Sequence, residues 1–126
     1  MYNQPSVAEL VEAVKTFVDE TAMPELTGRS AFHARVASNV LGTISRDIRA
    51  RETNDAEERA RLQLLLDLPD EEELSVLNDE LSRRLRAREI SANSAELMSH
   101  LKKTAIAQVK VDQPSYSGLL QALKEV

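Results

Sequence analysis

The side chains able to do chemistry in this chain are few, and they are scattered. There are two histidines, His33 and His100, and no cysteine, so thiolate catalysis, thiolate metal sites and disulfides are all excluded. His33 sits within a run of apolar residues. A histidine is the side chain most easily tuned for proton transfer near neutral pH, but a working base needs an orienting acceptor and a substrate cavity. Neither is visible, so His33 reads as a core histidine hydrogen-bonded to a neighbouring helix. His100 stands alone. The chain has no H-x-x-x-H or E-x-x-H pair to build a helical metal site, and no metal ligand set is assigned. Arg35, Asn39 and Arg46 recur on one strip of a helix, where two guanidinium forks could hold a carboxylate or phosphate, or else pair with acidic residues of an adjacent helix. With His33 they form the candidate polar cluster. Asp70 to Glu73 and Arg83, Arg84, Arg86 and Arg88 bracket one segment in the order a helix dipole favours, which makes a solvated face the natural reading. No phosphate-cradling glycine loop or nucleophile elbow occurs, and no catalytic or cofactor-binding residue can be named.

The elements that must position these groups are helices. Three glycines, four prolines and 42% hydrophobic residues in 126 suit long helices with short connections. With four aromatic residues and no Trp, the core must be aliphatic. Pro5-Ser6 with Glu9 forms a capping box ahead of an amphipathic helix that ends near Met23-Pro24. Gly28 to Ile48 is the second helix. At about 100° per residue, Phe32, Val36, Val40, His33, Ile44, Ala37, Ile48 and Leu41 occupy one arc of roughly half its girth. A helix so apolar is expected at the centre of a bundle, with Val36 and Val40 among the most buried residues. Arg49 to Asn54 has no apolar anchor beyond Ala50 and reads as the exit from that helix.

A third helix then carries Leu62, Leu65, Leu66 and Leu68 up to Pro69. A fourth starts at Asp70, with Leu74, Leu77, Leu81 and Leu85 as a narrow seam open to another helix. These two are expected as an antiparallel hairpin. Ser91, Asn93 and Ser94 are cap candidates for a fifth helix with a core face of Leu97, Met98, Leu101, Ala105 and Val109. Asp112-Gln113-Pro114 breaks the pattern before a short last helix from Ser115 to Glu125. The expected fold is all-α, a single compact bundle of five to six helices forming one domain over residues 1–126.

The net charge of −5 disfavours a general nucleic-acid or anionic-membrane binder. No run approaches 18 apolar residues, and the start lacks the basic-then-apolar pattern of a signal peptide, so a cytoplasmic, non-membrane protein is expected.

Three strings carry a resemblance: MYNQPSVAELVEAV, PELTGRSAFHARVASNVL and LMSHLKKTAIAQVKVDQPSY. With their G-R-x-A-F-H-A-R-V-A-x-N and V-D-x-P-x-Y cores, they resemble an uncharacterised family of small bacterial helical proteins. Members of that family are encoded near, or fused to, aminoglycoside-phosphotransferase-like kinases and acyl-CoA dehydrogenases. Many have Asn where this chain has Gln113, a departure that leaves the Pro114 turn intact. The resemblance implies an association with acyl-CoA or phosphotransferase metabolism and assigns no active-site residue. The function expected is therefore a non-catalytic accessory or protein-interaction domain, binding a protein partner or itself, the partner class being an acyl-CoA dehydrogenase or a phosphotransferase-like kinase. The alternative is a small-molecule binder or enzyme for a carboxylate or phosphate, using a cavity near His33, Arg35 and Asn39.

Overall fold

The computed structural model describes residues 4–125, so the first three residues of the N-terminal family string lie outside it. Five helices are present and, among the described residues, no strand: α1 (Val7–Phe17), α2 (Gly28–Leu66), α3 (Leu74–Arg86), α4 (Ala95–Asp112) and α5 (Ser117–Lys124). The all-α expectation holds. By its contacts the chain gathers into two units, one up to Arg51 and one from Glu52 onward.

In the first unit, Ser6 and Glu9 form the expected capping box. The Glu9 amide donates to Ser6 Oγ at 3.2 Å and the Ser6 amide to Glu9 Oε2 at 2.7 Å. After α1 the chain winds through a wide turn of π type (Val18–Ala22) and a tight 3-10 turn (Met23–Glu25) that takes Pro24 in its first positions. α2 then returns antiparallel to α1. Glu12 accepts from Ser45 Oγ and faces Arg49 at 3.7 Å, and Asp19, held by Lys15 at 2.6 Å, also pairs with Ser38. As the α1 numbers rise the α2 numbers fall, the signature of an antiparallel hairpin. The stripe of α2 turned to α1 is Ala31, Ala34, Ser38, Gly42 and Ser45, with the last three buried. The Lys15 stem lies across the glycine of this stripe: a Cβ at Gly42 would stand 3.3 Å from Lys15 Cε.

This geometry corrects the expected centre. Phe32 is 62% exposed, Val40 is 52% exposed, and Val36 and His33 are also exposed. Hydrophobicity marks the apolar arc as a packed face because it reports what a helix could bury, not which neighbour covers it. The packed face is the small one, which a hydrophobic count passes over. α2 also does not end near Arg49. It continues unbroken to Leu66, because Arg49 to Asn54 contains no Pro or Gly and includes good helix formers. Arg51 and Asp47 add an ion pair one turn apart there.

The second unit is built on leucine. Leu62 and Leu66 of α2, Leu77 and Leu81 of α3 and Leu97 of α4 form the buried cluster, with Leu65, Leu68, Leu74, Leu85 and Ile90 packed around it. The seam of α3 is therefore spent inside this core and is not free for a partner helix. α3 begins at Leu74, so the acidic run from Asp70 lies in the turn that precedes it. The carbonyl of Leu66, left open by the end of α2, accepts from Arg84 Nη1 at 2.9 Å, and Asp67 takes the left-handed conformation (φ 54°) just beyond. Asn78 Nδ2 donates to Glu58 at 3.1 Å. The pairs Glu58 with Asn78 and Leu66 with Arg84 rise together along both helices.

Of the three cap candidates for α4, Ser94 serves: its Oγ accepts from the Leu97 amide at 3.3 Å. The buried side of α4 is Leu97, His100 and Val111, whereas Met98 and Leu101 of the expected core face are exposed. α5 seats Leu119 in the structure. The Tyr116 ring lies over Gly118, where a Cβ would fall 2.6 Å from Cε1 and the exposed ring would have to swing aside.

Candidate interaction surface

The outer side of the α1–α2 hairpin is apolar and uncovered. α1 contributes Val7, Leu10, Val14 and Phe17; α2 contributes Phe32, Val36, Val40, Ile44 and Ile48; each is 38–63% exposed. Counting about 100° per residue from the packed stripes of an antiparallel pair, both rows lie on the same side of the hairpin. The row on α2 continues round that helix's outer flank at Val36 and Phe32. Val11, Val18 and Leu41, half-buried, fill the line between the two helices. A contiguous patch of this kind exceeds the scattered apolar exposure of ordinary surfaces.

The four residues of the polar cluster are divided by this surface. His33 stands within the apolar row, its ring edge-on to Phe32 with centroids 5.6 Å apart. It is exposed, so its expected role as a core histidine is not what the fold provides; the neighbouring helix packs on the opposite stripe of α2. Arg35 and Asn39 are exposed on a different strip, with Arg46 below them on the same side. Arg46 Nη2 donates to Thr43 Oγ1 at 3.1 Å, and Thr43 Oγ1 donates in turn to the Asn39 carbonyl at 3.2 Å. The structure thus joins Asn39 to Arg46 through Thr43 and leaves His33 across the helix from Arg35.

Of the arginines at the end of α3, Arg83 and Arg84 are paired. Arg83 reaches Glu80 at 2.7 Å and Glu89 at 2.9 Å, and Arg84 reaches Glu80 at 2.6 Å. Donation from Arg83, then Arg84, pushes the Glu80 carboxyl down to about 2. A guanidinium already held by two carboxylates is a poor phosphate receptor, which favours the dipole-matched face over an anion site.

Sequence reasoning passed over His100. It is 4% exposed, and its Nδ1 is buried without a hydrogen-bond partner. It lines a hollow of about 350 Å³ together with Arg61, Leu65, Glu96 and Lys103. Arg61 Nη2 donates to Thr104 Oγ1 at 3.2 Å, while its Nε is buried and unpaired. A second hollow of about 510 Å³ shares Arg61 and Lys103 and adds Lys110 and Glu57. The signal available in the sequence was the spacing of Leu97, His100, Thr104 and Val111, which puts His100 on a helical stripe with two aliphatic residues.

Burial, with the Arg61 charge beside it, lowers the His100 pKa from its ordinary value, and Glu58 opposes this only in part. Because the folded state resists protonation, the unfolded chain takes up the proton first as pH falls. Stability is therefore fully present above about pH 6.5, the unfolded value, and declines below it. We expect His100→Gln to flatten this acid-side decline in melting temperature between about pH 7 and 5. A variant whose profile tracks the wild type would show that the decline arises elsewhere.

Among the described residues no three His, Cys, Asp or Glu side chains are grouped to hold a metal ion, and no helix is long and apolar enough to cross a membrane. What the fold defines is an all-helical protein with an apolar hairpin face. The family model described as a domain of unknown function, DUF6285, matches residues 24–116, and the chain belongs to that family. No curated protein and no solved structure matches it. The matched segment begins just before α2 and ends at Tyr116.

Proposed function

We propose that this chain is a non-catalytic interaction domain that serves an enzyme of acyl-CoA or phosphotransferase metabolism, docking through its N-terminal hairpin. One observation carries the docking role: nine large apolar side chains of α1 and α2 remain 38–63% exposed while the hairpin's own interior is filled by small residues and hydroxyl groups. Such a hairpin gains little hydrophobic stabilisation from its internal contacts, and covering the outer face supplies it. The metabolic association rests on the family resemblance described above, and the partner class it names is an acyl-CoA dehydrogenase or an aminoglycoside-phosphotransferase-like kinase of a bacterial cytoplasm.

The test is retention of such an enzyme by the tagged full chain, compared with Val40→Asp. The wild type should retain a kinase or dehydrogenase of that class and the variant should lose it while keeping its helical circular dichroism. Equal retention by both would remove the hairpin face from the function.

The second reading, a binder of small carboxylates or phosphates, draws support from the second unit more than from His33. Arg61, Lys103 and Lys110 line adjoining hollows, and none of the three is in an ion pair among the described residues. Arg35 and Asn39 remain the alternative anchor on α2.

A further inference from the structure

We infer that the occupant of the hairpin face is the same face of a second copy of this chain, the two hairpins together forming a four-helix bundle. The inference rests on the docking role proposed above and makes it specific: the hairpin face pairs two copies, and the enzyme named there binds the paired form, so a substitution that breaks the pair also loses the enzyme. Three features single out a second copy.

The first is shape. Two antiparallel helices with their apolar rows on one side are half of a four-helix bundle, and a two-fold axis through that side completes it with identical surfaces. The second is size. Leaving aside Phe32 and Val36 on the outer flank, the seven remaining side chains, 38–63% exposed, present on the order of 600 Å² per copy, the lower end of what each partner contributes to a stable interface.

The third is charge. The unit up to Arg51 carries six acidic and six basic side chains, so the chain's net −5 falls entirely on the remainder. Two neutral hairpins meet without net repulsion, and neither sign of charge on the face selects a strongly acidic or basic partner. Asp47 and Arg51, at the far end of the α2 row, satisfy each other. His33, in the middle of that row, meets the partner copy through a ring that is already edge-on to Phe32.

Sedimentation equilibrium of the full chain tests this. Wild type should run at twice the 14.0 kDa chain mass at micromolar concentration. Val14→Asp should raise the dimer dissociation constant by about 100-fold or more, as expected when a charge is forced into the centre of an interface, with helical circular dichroism unchanged. Ile44→Ser, a milder change on the opposite helix, should weaken the dimer in the same direction. Leu64→Asp, at the most exposed leucine and outside the hairpin, should leave it dimeric. A wild type that stays monomeric at several hundred micromolar overturns the second copy. If that monomer still retains an enzyme through the face, the docking role stands and only its occupant was wrong. If Val14→Asp and Ile44→Ser both unfold the chain, the face is core and both inferences fall. A dimer indifferent to both substitutions places its interface elsewhere and overturns the inference.

Discussion

Leu62→Ala should destabilise the protein by about 2–5 kcal/mol, the range for emptying a fully packed leucine site. Leu62 has no exposed surface and lies with Leu66, Leu77, Leu81 and Leu97 in one cluster drawn from three helices. Because the cluster is entirely leucine, no aromatic ring is at hand to tilt into the space, and the removed methyl groups leave a cavity lined by fixed neighbours. Domains of this size hold roughly 5–15 kcal/mol in total, so the loss is a large fraction of the whole. Thermal or urea unfolding followed at 222 nm measures it. Val40→Ala on the exposed arc should cost far less in the isolated chain, and that contrast is the sharper test. Equal losses at the two positions would restore the apolar arc of α2 as a core.

The second large effect is at Gly42. A leucine there must enter the buried stripe between α1 and α2, with Lys15 Cε and Arg46 Nη1 each 3.3 Å from the position of a Cβ. Gly42→Leu should cost about 1–3 kcal/mol by pushing the helices apart. It would also part Ser45 from Glu12 and Ser38 from Asp19. Gly42→Ala should behave differently. Its one methyl group meets only the ends of two flexible side chains, and alanine recovers up to about 1 kcal/mol of helix propensity. A stabilised Gly42→Ala beside a destabilised Gly42→Leu, read from melting curves, would establish that the stripe is selected for smallness. If leucine is tolerated as well as alanine, the smallness of the stripe carries no energetic weight.

Much of the fold was legible in local chemistry. The Ser6–Glu9 box, the leucine rows of α2 and α3 and the break at Pro114 each depend on a few adjacent residues, and each stands where the sequence puts it; the first α-helix instead gives way at Phe17 to a π turn and a 3-10 turn that contains Pro24. What failed depends on long-range pairing. The arc around Val36 and Val40 is as apolar as a core, and nothing local distinguishes a face covered by its own chain from one awaiting a partner. The stripe Ala31, Ala34, Ser38, Gly42 and Ser45 gives almost no hydrophobic signal, yet it is the packed one. Arg49 to Asn54 was read as an exit because it lacks apolar residues, although an exposed helix needs none. The same limit governed the histidines. His33 had apolar neighbours along its own helix and is exposed, while His100 stood among lysines and serine and is buried by other elements.

A helix lined with small residues offers its partner a smooth track, and smooth tracks permit sliding. Displacing α1 along α2 by one turn, about 5.4 Å, would still bring small side chains opposite one another and would forfeit little van der Waals contact. It would, however, separate Glu12 from Ser45 and Asp19 from Ser38, leaving each carboxylate beside a neighbour that has no hydroxyl to give. The two serine hydroxyls, buried where they stand, would lose their partners, so the two serine–carboxylate contacts act as detents that hold one alignment among several of nearly equal packing. Replacing both serines by alanine would leave the fit of the hairpin intact and remove the reason it has only one.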